Sequence, residues 1–319
     1  MILRYLLRRV VLLGVTVLIS SIIIFVICRL LPGDVARVLL GREASEAALT
    51  ALRAELGLDR PLPIQYLDWL RGFVSGDWGV SYSTRQLIRP LVFERLHNSL
   101  LLAGATLLLA IPLGIGLGVW AGRRAGKLDD TAISISTLAV TGLPEFVTGL
   151  LLIDLFAFRM RMLPANSSLR PDANLLEIIP QLILPAMTAT LVLLAYIARL
   201  TRAGVIHELN QDYVRTAMLK GLAPFTLLQR HVLRNALLPV ITVIAISLGW
   251  LISGLIVVEN VYNYPGIGRL LTFAIDRRDL ILLQAVAMIT VVIFAVANLL
   301  ADLLYALLDP RIRLGDETR

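Results

Sequence analysis

The sequence predicts an all-α integral membrane protein with six transmembrane helices and a partly helical extracytoplasmic segment after the first helix. Of its 319 residues, 57% are hydrophobic and only 17% are charged, against roughly 25% charged residues in an average soluble protein. The apolar residues stand in uncharged blocks of about 20 residues, the length that crosses a bilayer core as a helix. The charged residues lie between these blocks, so we expect the bilayer to be the main solvent.

The first crossing is predicted at 10–31, after a short cytoplasmic N-terminus at 1–9. Its apolar block is longer than the h-region of a signal peptide, and no small-residue cleavage motif follows it. We therefore expect a permanent anchor. The other crossings are predicted at 98–120, 131–157, 178–198, 235–258 and 280–308.

The segments between the crossings set the predicted orientation. They comprise an outer segment at 32–97, a cytoplasmic loop at 199–234, an outer loop at 259–279 and a cytoplasmic C-terminus at 309–319. The outer segment is long enough to cross the membrane regardless of its charge. Once it is set aside, Lys and Arg are concentrated on the side of both termini, which predicts that both are cytoplasmic. The net charge of +7 therefore reflects orientation, and we expect no nucleic-acid partner.

The outer segment itself carries helix signals. Ser45 is a suitable N-cap for a helix at 46–56, and Gly57 is a suitable stop. Apolar residues at helical spacing predict a second helix at 64–73, followed by a turn at 76–79. We expect a small ordered cap on the outer face.

Motifs for catalysis and for cofactor binding are missing from the sequence. Neither Lys127 nor Lys220 completes a phosphate-binding G-x-x-x-x-G-K-[ST] loop. The single Cys28 has no partner for a disulfide within the chain. The histidines do not share metal-ligand spacing; they are His97, His207 and His231. We therefore expect no enzyme activity, metal or cofactor in this chain.

Glu145 is the acidic residue placed deepest in a predicted crossing. A carboxylate at this depth is costly unless it is paired, neutralised or exposed to water. It directly follows Pro144, which removes a backbone donor and favours a kink. Two interpretations stay open: Glu145 lines a polar passage, or it fixes a bent helix through a hydrogen bond. Asp154 and Asp302 lie nearer to helix ends, where we expect pairing at the interface.

The cytoplasmic loop at 199–234 contains a predicted helix-turn-helix. Asp212 is suited to begin a short helix, Gly221 to end it, and Pro224 to begin the next helix.

The first of these helices has a shallow and basic face. Thr216 and Ala217 are small enough to let another protein approach closely, and Arg215 and Lys220 can pair with acidic residues around it. A helix lying on the membrane would instead carry a broad face of Leu, Phe or Trp. We therefore expect a docking element for another protein.

The run Tyr213–Leu222, followed by Arg230–Pro239, resembles the coupling motif of ABC-importer permeases of the dipeptide/oligopeptide/nickel group. Runs similar to those of the first-permease type of this group recur over nearly the whole chain; they are Leu31–Asp34, Leu56–Leu62, Gln65–Tyr66, Gly76–Gly79, Leu163–Pro164, Glu259–Tyr262, Pro265–Arg269, Arg278–Asp279 and Asp309–Arg313. The general permease motif has Glu-Ala-Ala where this chain has Arg215-Thr216-Ala217, a departure that is usual for this branch.

The resemblance implies a type I ABC-importer permease fold in the bacterial inner membrane, with 98–308 as the ABC transmembrane permease domain. It implies four partner subunits: a second homologous permease, two ABC ATPase subunits that bind ATP and Mg, and an extracytoplasmic substrate-binding protein. The residues that it assigns to ATPase coupling are Asp212, Tyr213, Arg215, Thr216, Ala217, Lys220 and Gly221. ATP binding by the partners is then expected to rock the crossings between inward-open and outward-open arrangements.

The candidate pathway or gating residues are Pro144, Glu145, Tyr262, Pro265 and Gly266. Pro180 and Pro185 are further candidate kinks in the fourth crossing. Tyr262, Pro265 and Gly266 belong to a predicted tight outer turn. This turn either contacts the binding protein or the substrate path, or it only connects two helices.

The expected substrates are di- or oligopeptides, because peptide systems are numerous in the family. The same architecture would also serve nickel or a nickel chelate, glutathione or another small solute, so these alternatives stay open. Two other classes of protein are also considered. A channel would not need the docking helix, and a secondary transporter would carry more crossings or an inverted repeat.

Overall fold

The computed structural model describes residues 2–30, 37, 40, 44–55, 57–168 and 175–308. These residues are mainly helical, and the one β-bridge among them joins Val80 and Leu87. The expected all-α class is confirmed. The runs Leu31–Asp34 and Asp309–Arg313 and the predicted C-terminus lie outside the described residues.

The helices in chain order are α1 Ile2–Leu30, α2 Glu46–Glu55, α3 Leu62–Ser75, α4 Ile88–Arg123, α5 Leu128–Gly142, α6 Glu145–Leu152, α7 Leu175–Leu209, α8 Asp212–Leu219, α9 Pro224–Leu227, α10 Leu233–Ala236, α11 Leu238–Gly254, α12 Ile256–Val261, α13 Ile267–Asp276 and α14 Leu280–Leu308. Two π-helical segments extend them: Ile153–Arg159 continues α6, and Leu228–Val232 joins α9 to α10.

Among the described residues, both single helices and bent pairs of helices are long enough to cross a membrane. Four single helices are long and apolar enough, and they contain Leu7–Leu30, Ile88–Arg123, Leu176–Leu209 and Leu280–Leu303. Two bent pairs pass the same test when each is taken together: α5 with α6 and its extension, and α9 through α10 with α11. The number of crossings is six, as predicted, if each bent pair is one crossing.

A sharp bend replaces the single helix predicted at 131–157. The axes of α5 and of α6 with its extension differ by 107°. Leu143 is extended, with φ −88° and ψ 133°, because the residue before a proline is sterically kept out of the helical region. Pro144 also lacks the N–H that would continue the ladder of α5. The helix is therefore broken where a kink was expected, whereas α7 continues through Pro180 and Pro185.

The described chain divides into two compact units. One contains Leu100–Pro265 and the chain from Ala297 onward, and the other contains Ile2–Ser99 and Gly266–Val296. The core of the first unit includes the fully buried residues Leu102, Leu184, Ile197, Val240 and Tyr262. The core of the second unit includes Ile88, Val92, Leu282 and Val286.

A row of glycines on α4 lets it lie very close to α7 in the first unit. The row consists of Gly114, Gly118 and Gly122, one turn apart, so all three lie on the same face of the helix. A Cβ added at Gly118 would come within 2.5 Å of Thr201 Cβ and 2.6 Å of the Ala198 carbonyl oxygen. Small residues at four-residue spacing are typical of close helix packing in membranes.

Both helices predicted for the outer segment are present in the second unit. Ser45 Oγ accepts a hydrogen bond from the Ala48 N–H at 3.3 Å, as an N-cap does. Gly57 has φ +65°, the left-handed conformation expected at a helix stop. α3 occupies Leu62–Ser75, and Gly76 ends it with φ 83°.

A buried carboxylate, Asp279, ties this outer segment to the start of α14. Its Oδ2 accepts hydrogen bonds from Ser81 Oγ at 2.6 Å and from the Ser83 N–H at 2.9 Å. Its Oδ1 accepts from the Leu282 N–H at 3.2 Å, which caps the helix. One side chain therefore fixes a loop and a helix end in the same unit.

Candidate functional site

The candidate site is the surface around α8, in the segment that the sequence assigned to coupling. α8 begins at Asp212, as predicted, and Gln211 is its N-cap residue. The fully buried Val214 anchors the helix in a small apolar cluster with Val205 of α7, Leu227 of α9 and Val232. Because this cluster joins three helices, α8 is held firmly although most of its surface is exposed.

Tyr213 reinforces this anchorage with polar contacts. Its hydroxyl donates a hydrogen bond to the Glu208 carboxylate near the end of α7. It also accepts a hydrogen bond from Asn235 Nδ2 of α10 at 3.3 Å. Burial, and then the hydrogen bond to Glu208, raise the pKa of the Tyr213 hydroxyl, so the group stays protonated as a donor. Tyr213 therefore positions α8 against the helices on either side.

The exposed face of α8 differs from the predicted one. Leu219 is 83% exposed and Met218 is also exposed. Phe225, at the start of α9, is exposed in the same short stretch of chain. Apolar side chains exposed on an anchored helix are suited to contact another surface, either a protein or the membrane. The sequence did not predict these three exposed residues, because the periodicity of so short a helix does not separate its two faces.

The remaining predicted coupling residues take different positions. Arg215, Thr216 and Lys220 are exposed, and Thr216 Oγ1 donates a hydrogen bond to the Asp212 carbonyl oxygen at 2.9 Å. Ala217 is half-buried and packs against the apolar cluster under the helix. The shallow face expected of Ala217 is therefore directed partly towards the protein itself.

Gly221 ends α8 with φ +80°. A Cβ added there would meet nothing within 4 Å, so backbone conformation and not crowding favours glycine. Pro224 begins α9, as predicted.

The helix that leads into the site, α7, is tied to α5 by an ion pair. Arg202 Nη2 donates a hydrogen bond to Asp130 Oδ2 at 2.7 Å, and Arg202 Nε donates to Oδ1. The buried Asp130 carboxylate also accepts from the Gly126 N–H at 2.9 Å. This pair connects the first turn of α5 to the part of α7 that precedes α8.

The pathway candidates do not form one cluster of exposed residues. Pro144 is exposed and Glu145 is half-buried at the bend between α5 and α6. Among the described residues, Glu145 has no hydrogen-bond or ion-pair partner, so the expected bond that would fix the bent helix is not seen there. This placement leaves the carboxylate available to a polar passage. Pro265 and Gly266 are both buried.

Tyr262 is fully buried and its hydroxyl is saturated with hydrogen bonds. The hydroxyl lies 2.8 Å from Thr188 Oγ1 of α7 and donates to the Gly149 carbonyl oxygen of α6 at 3.0 Å. The Tyr262 carbonyl oxygen accepts from the Ser167 N–H at 2.8 Å. These contacts favour a role in holding three segments together in the first unit.

Within the ranges that the structure describes, no group of three or more His, Cys, Asp or Glu side chains is placed to hold a metal ion.

Comparison with known proteins places this architecture in a family. Residues 114–314 match the family described as binding-protein-dependent transport system inner membrane component. Residues 2–103 match the corresponding N-terminal family, described as binding-protein-dependent transport system membrane component, N-terminal.

Relatives are similar over nearly their full length. A probable peptide ABC transporter permease protein of Sinorhizobium fredii is 38% identical over 309 residues, covering 97% of this chain and 99% of the relative. A putative peptide permease protein of Brucella ovis is 37% identical over 317 residues, covering 98% and 99%. A glutathione transport system permease protein of Pectobacterium atrosepticum is 38% identical over 317 residues, again covering 98% and 99%.

The family match and the full-length similarity agree with the apolar helices of membrane-crossing length. The chain therefore belongs to the binding-protein-dependent transport system inner membrane components, the multi-pass permease components of ABC transporters, which work in complexes with other subunits.

Proposed function

We propose that this chain is the permease subunit of an ATP-driven importer that moves di- or oligopeptides across the bacterial inner membrane. Two relatives with peptide permease names support the substrate class, at 38% and 37% identity over nearly the whole chain. In this proposal residues 98–308 form the ABC transmembrane permease domain, and both termini are cytoplasmic.

Energy enters through partner subunits. Two ABC ATPases bind ATP and Mg, and α8 docks in a groove of an ATPase. A second homologous permease completes the passage, and an extracytoplasmic binding protein delivers the substrate. This chain forms part of the passage and transmits movement, and it catalyses no reaction itself. The coupling residues in the proposal are Asp212, Tyr213, Arg215, Thr216, Ala217, Lys220 and Gly221, to which Met218, Leu219 and Phe225 are added.

The observation that carries the coupling proposal is the contrast between the two sides of α8. Val214 is fully buried in the apolar cluster, whereas Leu219 is 83% exposed. A helix that is anchored on one side, and that exposes Leu219 among polar residues on the other, can transmit displacement, because its anchorage holds it in place when a partner binds. Tyr213, Glu208 and Asn235 then pass the displacement to α7 and α10.

Glutathione is the second candidate substrate, because one relative with 38% identity is named a glutathione permease. Glutathione has a free amino group, two carboxylates and amide bonds, so a passage suited to short peptides accommodates similar chemistry. Glu145, a carboxylate without a partner in the described part of the chain, is suited to attract an amino group in either substrate.

Competition in proteoliposomes tests the substrate class. The complete complex takes up a labelled dipeptide with ATP, and unlabelled di- and oligopeptides are added in excess beside glutathione. Inhibition by peptides and not by glutathione supports the proposal. Inhibition by glutathione as well adds glutathione as a substrate, uptake of labelled glutathione without uptake of the dipeptide identifies the second candidate, and uptake of neither overturns both.

A further inference from the structure

A cavity of about 450 Å³ lies within the second unit, at the end of α1 that follows the apolar block. It is bounded by the last turns of α1, by α3 and by the first turns of α14. Its walls include Phe25, Arg29, Gln65, Trp69, Tyr82 and Gln284. α1 and α14 contain segments that are long and apolar enough to cross a membrane, and the cavity lies where both segments end or begin, so we expect the headgroup region at this level.

Aromatic rings form one wall of the cavity. The Phe25 and Trp69 ring centroids are 6.0 Å apart, those of Trp69 and Phe73 are 6.2 Å apart, and those of Phe73 and Trp78 are 5.2 Å apart. Such rings favour the boundary between hydrocarbon and headgroups, because they combine an apolar body with polarisable faces.

Arg29 supplies an available positive charge in this wall. Its guanidinium carbon lies 5.3 Å from the Phe25 ring centroid, and no carboxylate of a described residue pairs with it. The other cation of the wall, Arg60, already forms an ion pair with Asp68 at 3.3 Å. Two carboxylates also line the cavity: Asp68 pairs with Arg60, and Asp77 Oδ1 accepts a hydrogen bond from the Gly79 N–H at 3.3 Å. Arg29 is therefore the cation of this wall that is left for an entering anion.

Tyr82 adds a hydroxyl donor beside this charge. No hydrogen bond joins its hydroxyl to another described residue. Burial and the nearby Asp279 carboxylate raise the pKa of Tyr82, while Arg29 opposes the shift, so the hydroxyl keeps its proton. A guanidinium and a hydroxyl together match the oxygens of a phosphate group.

Gln65 provides a buried acceptor that lacks a donor. Its Nε2 donates to the Leu58 carbonyl oxygen at 2.9 Å and to the Arg60 carbonyl oxygen at 2.7 Å, which fixes the orientation of the amide. Its Oε1 has no donor among the described residues, although the side chain is buried in the cavity wall. A buried acceptor in this state is destabilising until a donor reaches it.

We infer that this cavity binds the headgroup of one glycerophospholipid, with the phosphate at Arg29 and Tyr82 and with a headgroup donor at Gln65. The rings contact the glycerol and the upper acyl chains. Because Oε1 of Gln65 needs a donor, headgroups with N–H or O–H groups are preferred over choline, which has neither. The site goes beyond the proposed transport function and does not depend on the identity of the transported solute.

Thermal unfolding of the purified complete complex in detergent tests this site. The probes are short-chain phosphatidylethanolamine, short-chain phosphatidylcholine, short-chain diacylglycerol and inorganic phosphate. We expect a saturable rise in the unfolding temperature with phosphatidylethanolamine, a smaller rise with phosphatidylcholine, and none with diacylglycerol or phosphate. An equal rise with phosphate alone would show a free-anion site, and an equal rise with diacylglycerol would show an unspecific apolar groove; either result overturns the inference.

Variants separate headgroup recognition from general stability. R29Q is expected to raise the half-saturating concentration of phosphatidylethanolamine by about tenfold, as for loss of a charge-assisted contact. R71Q is the matched control, because Arg71 is exposed on α3 outside the cavity wall and its loss leaves saturation unchanged. Q65L is expected to bind both lipids equally. The assignment is contradicted if R29Q keeps the wild-type half-saturating concentration, or if Q65L still prefers phosphatidylethanolamine to phosphatidylcholine.

Discussion

Arg202 donates two hydrogen bonds to the carboxylate of Asp130, and this pair joins α5 to α7 in the first unit. The Asp130 side chain is buried, whereas about a third of the Arg202 side chain is exposed (34%). The pair lies before the point where α7 leads into α8. It is thus placed to keep α5 and α7 together during the displacement of α8 that we propose.

Replacing Asp130 with Asn removes the negative charge and one of the two oxygens that accept hydrogen bonds from Arg202. We expect the apparent free energy of unfolding to fall by about 2 kcal/mol, the size of a hydrogen bond to a charged group. Thermal unfolding of the purified complex measures it. D129N is the control, because Asp129 pairs with Arg124 on the surface and exposed pairs contribute little. Equal losses in D130N and D129N would contradict a special role for the Asp130–Arg202 pair.

Replacing Gly118 with Ala forces α4 away from α7. A new Cβ would lie 2.5 Å from Thr201 Cβ, so we expect a loss of stability of about 1–3 kcal/mol, typical of overpacking. G116A serves as the matched control, since a Cβ at Gly116 meets nothing within 4 Å. That variant gains helix propensity and should be neutral or slightly more stable. Unfolding temperatures that do not separate the two variants would argue against the close approach.

Replacing Leu219 with Ser tests the apolar side of α8. We expect ATP-dependent uptake to fall at least about tenfold, because a buried Leu contact between subunits contributes about 1.5–3 kcal/mol. Leu128 at the start of α5 is exposed to a similar degree, 87% against 83% for Leu219, so L128S is the control. Full uptake by L219S, with the ATPases still bound, would remove Leu219 from the coupling surface.

Replacing Tyr262 with Phe distinguishes a structural role from a substrate-contacting one. The variant loses the contacts with Thr188 and Gly149, so we expect stability to fall by about 1–3 kcal/mol. The KM for peptide should stay unchanged, because the buried hydroxyl does not reach a substrate. Y196F, which alters an exposed tyrosine on α7, is the control. A raised KM with unchanged stability would place Tyr262 in the pathway instead.

The sequence predicted the helical class and the start of α8 because each depends on local signals. Hydrophobic blocks predict the crossings, and Asp212 and Gly221 mark the start and the end of the short helix. The break at Pro144 was only partly foreseen. A proline predicts loss of a hydrogen bond, but the size of the bend depends on what packs around it.

Long-range contacts account for what the sequence left open. The spacing of Gly114, Gly118 and Gly122 indicates close packing in general, yet its partner α7 is far away in the chain. The contact of Asp279 with the Leu282 N–H is local in the chain, whereas its hydrogen bonds with Ser81 and Ser83 join residues that only the fold brings together. The exposure of Leu219 could not be predicted for the same reason, because the burial of Val214 decides which face of α8 is exposed.

The most direct test measures uptake of a labelled dipeptide into proteoliposomes that contain this chain, its permease partner and the binding protein, with and without the ATPase subunits. The account predicts ATP-dependent accumulation with the ATPases, sharply reduced by L219S, and no accumulation without them. Accumulation by the permeases alone would contradict the claim that movement is driven from outside the chain through α8.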